Sequence, residues 1–199
     1  MKIIGITGGV GAGKTEVLKI IEEMVNCVIV RADEIARCLE RKGDICYKPL
    51  VELLGEDVLD ENKEIDPKKM AYMIFSDKEK NLRKQVNEIV HPAVRNHILA
   101  MIEDANRRCE KDWFFIEAAL LIEDHYELVV DEMWYIYADE EVRRKRLKDT
   151  RGYSDEKISD IMDSQSSDEV FRKHCKVVID NSNSLENTRQ QLERYLGGR

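Results

Sequence analysis

The sequence has five cysteines, an odd number, and no two of them have the C-x-x-C spacing of a metal or redox motif. Its four histidines are scattered. These features argue against a disulfide framework and a zinc site, and they favour reduced thiols in a cytosol. No apolar segment near the N-terminus is long enough to span a membrane, and a glycine-rich motif stands where a signal peptide would be. We therefore expect a cytoplasmic protein with no membrane partner.

Positive charge is scarce relative to negative charge. The 32 Lys and Arg residues are outnumbered by 40 Asp and Glu, which gives a net charge of −8. A nucleic-acid-binding surface needs a basic face, so we expect no nucleic-acid partner. The 199 residues contain no internal repeat, low-complexity stretch or linker. This predicts a single domain, and the lack of a long exposed apolar stripe predicts a monomer.

The sequence does contain a motif with the G-x-x-x-x-G-K-[ST] spacing of a phosphate-binding P-loop. An apolar run from Ile3 to Thr7 precedes it, and a helical pattern follows from Val17. Strand, loop and helix therefore come in the order that a P-loop requires, whereas the alternative is a glycine-rich turn with a chance Lys-Thr. The residues assigned to the motif are Gly8, Gly9, Val10, Gly11, Ala12, Gly13, Lys14 and Thr15.

Each residue type in this motif has a physical role. The glycines let main-chain N–H groups approach phosphate oxygens, and the positive end of the following helix points to the same place. Lys14 is expected to reach the terminal phosphates, and Thr15 is expected to offer its hydroxyl to Mg²⁺. The motif predicts a bound nucleoside triphosphate, with ATP and Mg²⁺ as cofactors.

A second apolar run, Cys27 to Val30, predicts a buried strand that leads to Asp33. Ligands gather at the carboxyl ends of parallel strands, so Asp33 is expected near the phosphates as the base that deprotonates an alcohol acceptor. A helix N-cap is the alternative role, and both roles can hold together. Arg31, two residues earlier and expected on the same strand face, would suit an anionic acceptor instead.

Residues 43–109 have a charged, helical pattern that predicts an insertion binding the second substrate. Asp66 and Pro67 have the pattern of an N-cap and a first helical residue. A longer amphipathic helix is expected from Asp77, interrupted at Pro92. His91 is the candidate site residue there, because a proline kink opens a polar site, although a histidine satisfied within the kink fits equally well.

Three further strands complete the pattern. The run from Trp113 ends at Glu117, where P-loop proteins place the acid that helps to hold Mg²⁺, although any strand-end glutamate looks alike. The run 133–138 precedes a helix with Asp139 as its expected cap, and the last run, 177–181, precedes a helix capped by Ser184. Five strands separated by helices predict an α/β fold with a doubly wound parallel sheet.

The helix after the fourth strand is strongly basic. Charged runs on helices are usually solvated faces. This one follows a strand of the predicted nucleotide-binding sheet, so it could close as a lid over the triphosphate, at about residues 143–165. The candidates are Arg143, Arg146 and Arg151, among which the sequence does not choose.

Taken together, the sequence resembles the dephospho-CoA kinase family over nearly its whole length. The matching segments are residues 5–14, 32–37, 75–77, 91–92, 120–123 and 178–181. The resemblance implies a P-loop NTPase core (1–42 and 110–199) with strand order 2-3-1-4-5. It also implies ATP-dependent phosphorylation of the ribose 3′-hydroxyl of dephospho-CoA, with Asp33 as base, an adenine contact near Asn181, and acceptor contacts from Arg37, His91 and Leu120.

The chain also departs from the family pattern. Arg31 stands where the family has an aspartate, Glu117 and Ala119 stand where it usually has Asp and Pro, and Thr150 and Ile161 lie near family arginines. Arg151 could replace the lid arginine. Two alternatives therefore stay open: a kinase of another nucleoside or nucleotide, and a nucleotide-binding module with weak or no activity. A GTP switch is disfavoured, because Asn62-Lys63 is not followed by the aspartate of the guanine motif.

Overall fold

The computed structural model describes residues 1–77 and 81–197. It contains a five-stranded sheet in the order β2-β3-β1-β4-β5. β1 pairs in parallel with β3 and with β4, and β4 pairs in parallel with β5. The predicted parallel α/β sheet and its strand order are confirmed. The strands are β1 (Lys2–Thr7), β2 (Cys27–Arg31), β3 (Trp113–Glu117), β4 (Glu132–Tyr137) and β5 (Val177–Asp180).

Nine α-helices occur in the described residues, together with two short 3-10 turns at Glu56–Val58 and Tyr126–Leu128. The predicted start of the fifth helix falls partly on residues 78–80, which lie outside the described residues. Within the two described stretches, no helix combines the length and apolar character needed to cross a membrane. The helices are α1 (Lys14–Met24), α2 (Ala32–Leu39), α3 (Tyr47–Leu54), α4 (Pro67–Ser76), α5 (Asn81–Arg108), α6 (Glu140–Arg151), α7 (Asp155–Asp163), α8 (Asp168–His174) and α9 (Leu185–Leu196).

The chain divides into two compact units. The core unit is Met1–Val30 with Ala105–Arg199, and the helical unit is Arg31–Asp104, so the boundaries fall at the end of β2 and within α5. The predicted insertion at 43–109 stays a prediction.

The core unit is built around the sheet. Alternate residues of the strands point to opposite faces. Ile4 and Ile6 of β1 join one apolar cluster with residues of α1 and α9. Tyr135 of β4 faces the other way and stacks on Phe171 of α8, with ring centroids 4.7 Å apart. Helices therefore cover both faces of the sheet, as predicted.

The helical unit consists of α2, α3, α4 and the larger part of α5. Asp66 caps α4 by accepting hydrogen bonds from the N–H groups of Lys68 and Lys69, and Pro67 is the first helical residue, which confirms the predicted helix start. α5 continues through Pro92 without ending. Its buried residues repeat every fourth position, which places them on one helix face: Val86, Val90, Val94, Ile98 and Ile102.

Candidate active site

The loop between β1 and α1 has a conformation that depends on glycine. Gly8 has φ 151° and Gly13, the N-cap of α1, has φ 89°. A Cβ atom on Gly8 would overlap the carbonyl oxygen of Ile136, and one on Gly13 would overlap the side-chain nitrogen of Asn181. Only glycine fits both places. The loop therefore leads into the N-terminus of the 11-residue helix α1, where main-chain N–H groups and the helix dipole favour an anion.

Lys14 lies across this loop. Its Nζ donates a hydrogen bond of 2.8 Å to the carbonyl oxygen of Gly8 and lies 3.7 Å from Oε1 of Glu117. Both side chains are largely shielded, with 15% and 16% of their surface exposed. Glu117 reaches this position because β3 pairs in register with β1, opposite Ile6. The structure thus brings together a cation and a carboxylate that the sequence analysis singled out separately.

The site can supply two groups to a divalent cation. Thr15 is exposed in the first turn of α1, and Glu117 stands at the end of β3. Within residues 1–77 and 81–197, no group of three or more His, Cys, Asp or Glu side chains could hold a metal ion by itself. Mg²⁺ often takes only one or two protein ligands and completes its coordination with phosphates and water. A hydroxyl and a carboxylate beside a phosphate-binding loop fit that mode.

Arg143 of α6 contacts the same loop. Its Nε donates to the carbonyl oxygen of Val10 at 2.9 Å, and its Nη2 donates to Oε1 of Gln165 at 3.1 Å. The guanidinium covers Gly9, where any Cβ would collide with it. Burial lowers the pKa of Arg143, but an arginine stays charged at neutral pH. Arg143 therefore places positive charge beside the P-loop while it holds a main-chain carbonyl.

Arg146, one turn further along α6, ties the loop to the end of β5. Its Nη1 donates to the carbonyl oxygen of Ala12 at 3.2 Å, and its Nη2 donates to that of Asn181 at 2.8 Å. The buried side chain of Asn181 donates to the same Ala12 carbonyl at 2.8 Å and accepts from the hydroxyl of Thr188 at 2.9 Å. The P-loop is therefore fixed from α6, β5 and α9.

Two other predicted residues of the core unit lie in different surroundings. Arg151 ends α6, is exposed, and has its guanidinium carbon 5.9 Å from the ring centroid of Tyr153. Leu120 is half-buried in the segment after β3, where its carbonyl accepts a hydrogen bond of 2.9 Å from the N–H of Asp124. Of the three candidate lid arginines, two contact the P-loop, and Arg151 contacts Tyr153.

The acceptor-side candidates belong to the helical unit. Asp33 and Arg37 are both exposed on α2, four residues apart and hence on one face. The helix begins at Ala32 with Arg31 in the N-cap position, so the N-cap role considered for Asp33 is wrong. Arg31 ends β2 whereas Asp33 is helical, so they do not share a strand face as expected. Arg31 lies 3.7 Å from Glu34.

His91 lies within α5, directly before Pro92, and is half-buried. Proline has no N–H to continue the helical ladder, so the carbonyl four residues earlier loses its usual partner. His91 thus lies beside the proline at which the hydrogen bonding of this helix is interrupted. This is the location that the sequence indicated, and the role of His91 stays a prediction.

Comparison with known proteins places these features in a family. The family model described as dephospho-CoA kinase matches residues 2–187. The chain belongs to the dephospho-CoA kinase family. The dephospho-CoA kinase of Carboxydothermus hydrogenoformans is 36% identical over 96% of this chain and 91% of its own, and that of Oceanobacillus iheyensis is 34% identical over 98% and 96%.

Solved structures agree on the fold. The protein TT1252 from Thermus thermophilus superposes with a TM-score of 0.81 at 28% identity, covering 98% of this chain and 96% of its own. The dephospho-CoA kinase from Campylobacter jejuni has a TM-score of 0.72 at 24% identity, covering 99% and 96%. Both structures share the fold of this chain over nearly its whole length.

Sequence reasoning missed the residues that hold the P-loop from a distance. Gln165 accepts from the N–H of Val10 at 3.0 Å, and Thr188 fixes the amide of Asn181. Neither belongs to a spaced motif, and both are uncharged. Their only sequence signal is position: Gln165 is the last residue of the predicted lid, and Thr188 lies in the first turn of the last helix. Asp139 occupies the expected N-cap position of α6, but its carboxylate makes no cap hydrogen bond and accepts from the hydroxyl of Tyr137.

Proposed function

We propose that this protein transfers the terminal phosphoryl group of ATP to the 3′-hydroxyl of the ribose of dephospho-CoA, giving CoA and ADP, the last step of CoA biosynthesis. Membership of the dephospho-CoA kinase family supports the reaction, because the match covers residues 2–187. The single structural observation that carries the proposal is Lys14, held at 2.8 Å on Gly8 and 3.7 Å from Glu117 at the head of a glycine-dependent anion site.

The nucleotide side of the reaction belongs to the core unit. Main-chain N–H groups of the P-loop and the N-terminus of α1 bind the phosphates, and Lys14 moves its charge from Gly8 to the terminal phosphates. Mg²⁺, where bound by Thr15 and Glu117, supplies positive charge that neutralises the phosphate oxygens. Arg143 and Arg146 add positive charge beside the P-loop, and the adenine binds near Asn181, whose own side chain is buried and holds Ala12. Arg151 acts as the catalytic lid arginine.

The acceptor side belongs to the helical unit. Asp33 accepts the proton of the 3′-hydroxyl while the new oxygen–phosphorus bond forms and the bond to ADP breaks. Arg37, on the same face of α2, offers a cation to the phosphates of dephospho-CoA. His91 of this unit, and Leu120 of the core unit, also bind the acceptor.

A kinase of another nucleotide is the weaker candidate. Its best support in the sequence was Arg31, which would suit an anionic acceptor. In the structure the guanidinium of Arg31 lies 3.7 Å from the carboxylate of Glu34, so part of its charge is compensated within the helical unit. The curated relatives compared above are all named dephospho-CoA kinase. We therefore propose dephospho-CoA as the acceptor. From the composition of the sequence we further propose a monomeric, cytoplasmic enzyme without nucleic-acid partners.

The test is an acceptor competition. Purified protein is incubated with ATP, Mg²⁺ and dephospho-CoA, AMP or adenosine, and ADP formation is followed for each acceptor. We expect turnover on dephospho-CoA alone, with the product identified as CoA by mass. Turnover on AMP or adenosine but not on dephospho-CoA would assign a different acceptor. No turnover on any of them, with ATP still bound, would leave a nucleotide-binding module.

A further inference from the structure

The short segment between α7 and α8 is fixed to three parts of the core unit. The N–H of Gln165 bonds to the carbonyl of Met162 at 3.1 Å, which continues α7, and the hydroxyl of Ser167 accepts from the N–H of Val170, which caps α8. Between them, the hydroxyl of Ser166 donates to Glu123 at 2.6 Å. The main chain at Gln165 is therefore held in place, and its side chain is directed at one position.

That position is the peptide of Val10 in the P-loop. Oε1 of Gln165 accepts from the N–H of Val10 at 3.0 Å and from Nη2 of Arg143 at 3.1 Å. The Nε of Arg143 donates a second hydrogen bond, of 2.9 Å, to the carbonyl oxygen of the same residue, Val10. Three groups thus form a closed ring in which both polar atoms of Val10 are bonded. The partners are separated from Val10 by 155 and 133 residues.

The P-loop needs this ring for a steric reason. Val10 stands between Gly9 and Gly11, and residues without a Cβ restrict the main chain least. Sterics alone therefore leave the orientation of the Val10 peptide poorly determined. Hydrogen bonds from outside the loop must determine it. Gln165 and Arg143 are the residues that bond to Val10 from outside the loop in the described structure.

We propose that Gln165 is a positioning residue for nucleotide binding. It fixes the Val10 peptide, and the arginine bonded to it, in the arrangement that receives the triphosphate, and it acts through these two groups rather than on the nucleotide. The neutral amide suits this task, because a carboxylate at the same place would bring negative charge beside an anion site. The proposal rests on the proposed function only where KM and kcat are measured. The dissociation constant for ATP tests it independently of the acceptor.

The experiment compares Gln165→Met, which keeps the shape and removes the acceptor, with Gln165→Glu, which keeps the acceptor and adds charge. Gln190→Met is the matched control, because Gln190 is exposed and its side chain bonds, among the described residues, to Glu186 of its own helix. Dissociation constants for ATP–Mg²⁺ are measured by calorimetry without any acceptor. KM values for ATP and dephospho-CoA are then measured separately, together with the thermal midpoint of each variant.

We expect Gln165→Met to weaken ATP binding about tenfold, the effect of losing one or two hydrogen bonds, while the KM for dephospho-CoA and kcat change little. Gln165→Glu should keep the thermal midpoint and still weaken ATP binding. Gln190→Met should change neither. Wild-type ATP affinity in Gln165→Met would overturn the proposal. If the wild type fails to phosphorylate dephospho-CoA, the function is wrong, yet calorimetry still decides the role of Gln165. If Gln165→Met does not fold, Gln165→Ala, which also removes the acceptor, gives the decision.

Discussion

The two units differ in how their functional residues are held. In the core unit, side chains 133 to 169 residues away in sequence converge on the P-loop, from Arg143 on Val10 to Asn181 on Ala12. In the helical unit, Asp33 and Arg37 are exposed on a single helix, and the hydrogen bond from Lys42 to Glu64 spans only 22 residues. The P-loop, proposed to bind the nucleotide, is thus held by bonds from distant parts of the core unit. Asp33 and Arg37, proposed to act on the acceptor, are exposed on the surface of their unit.

The most severe test of this contrast is Lys14→Ala in the core unit. Because Lys14 is proposed to supply the charge that follows the terminal phosphoryl group, its removal should lower turnover about a thousandfold or more. The measurement is ADP formation with saturating dephospho-CoA. Lys19→Ala is the control, because Lys19 is exposed on α1 and its ion-pair partner in the described part of the chain is Glu16, 2.8 Å away. Substantial turnover by Lys14→Ala would show that the fixed loop is not the catalytic half.

Asp33→Asn tests the helical unit. An amide cannot accept the proton of the alcohol, so kcat should fall about a hundredfold. Binding of ATP should be unchanged, because the proposed ATP contacts all belong to the core unit. Stopped-assay rates and calorimetry with ATP measure the two quantities. Glu34→Gln, on the next residue, is the control and should keep most of the activity. If Asp33→Asn turned over normally, another group would have to be the base.

The same contrast explains how far the sequence could predict this protein. The five strands were predicted because buried parallel strands are short, continuous apolar runs, and these need no information from elsewhere in the chain. The order of the strands came only with the family resemblance, because pairing joins residues far apart. Lys14 and Glu117 were found separately from local signals, and only the register of β1 with β3 shows that they meet.

The residues that were missed or misassigned are those whose bonds or helix boundary the local sequence pattern does not determine. Gln165 carries no local signal, since its partner lies 155 residues away. Asp139 has the composition of a cap, but a bond of 2.7 Å from the hydroxyl of Tyr137 takes its carboxylate. Asp33 was considered as a cap because the first helical residue could not be fixed to within one or two positions. The sequence therefore predicted the elements and the types of residue in them, but not which bonds each side chain makes.

Carboxylates also differ between the two units in whether their partners are distant or local, and the pH dependence of stability tests this difference. Burial would by itself raise the pKa of Glu132 at the start of β4. Hydrogen bonds from Lys176, Trp134 and Lys2 outweigh burial and lower it to about 2. The carboxylate accepts from Lys176 at 2.6 Å and lies 3.1 Å from Lys2, so it links residues from both ends of the core unit. By contrast, the ion pair of Lys48 and Glu52 in the helical unit is exposed and lies within one helix.

We expect Glu132→Gln to lower the free energy of unfolding by about 2 kcal/mol at neutral pH, the value of hydrogen bonds to a charged group. Because the folded-state pKa of Glu132 is depressed, its contribution is present above its ordinary pKa of 4.5 and disappears as the pH falls towards about 2. The variant should therefore lose less stability than the wild type between these values. Urea unfolding across that range measures it. Glu52→Gln should change stability by less than about 0.5 kcal/mol.

The smallest expected effect separates stability from function. Thr188→Val removes the hydroxyl that bonds to Asn181 at 2.9 Å and leaves a buried amide oxygen without that partner, which should cost about 1 kcal/mol. Asp66→Ala removes the cap of α4 in the helical unit and should cost about the same. Only Thr188→Val should also raise the KM for ATP, because Asn181 holds the carbonyl of Ala12. Equal KM values in both variants, with equal loss of stability, would mean that the long-range bonds of the core unit stabilise the fold without shaping the nucleotide site.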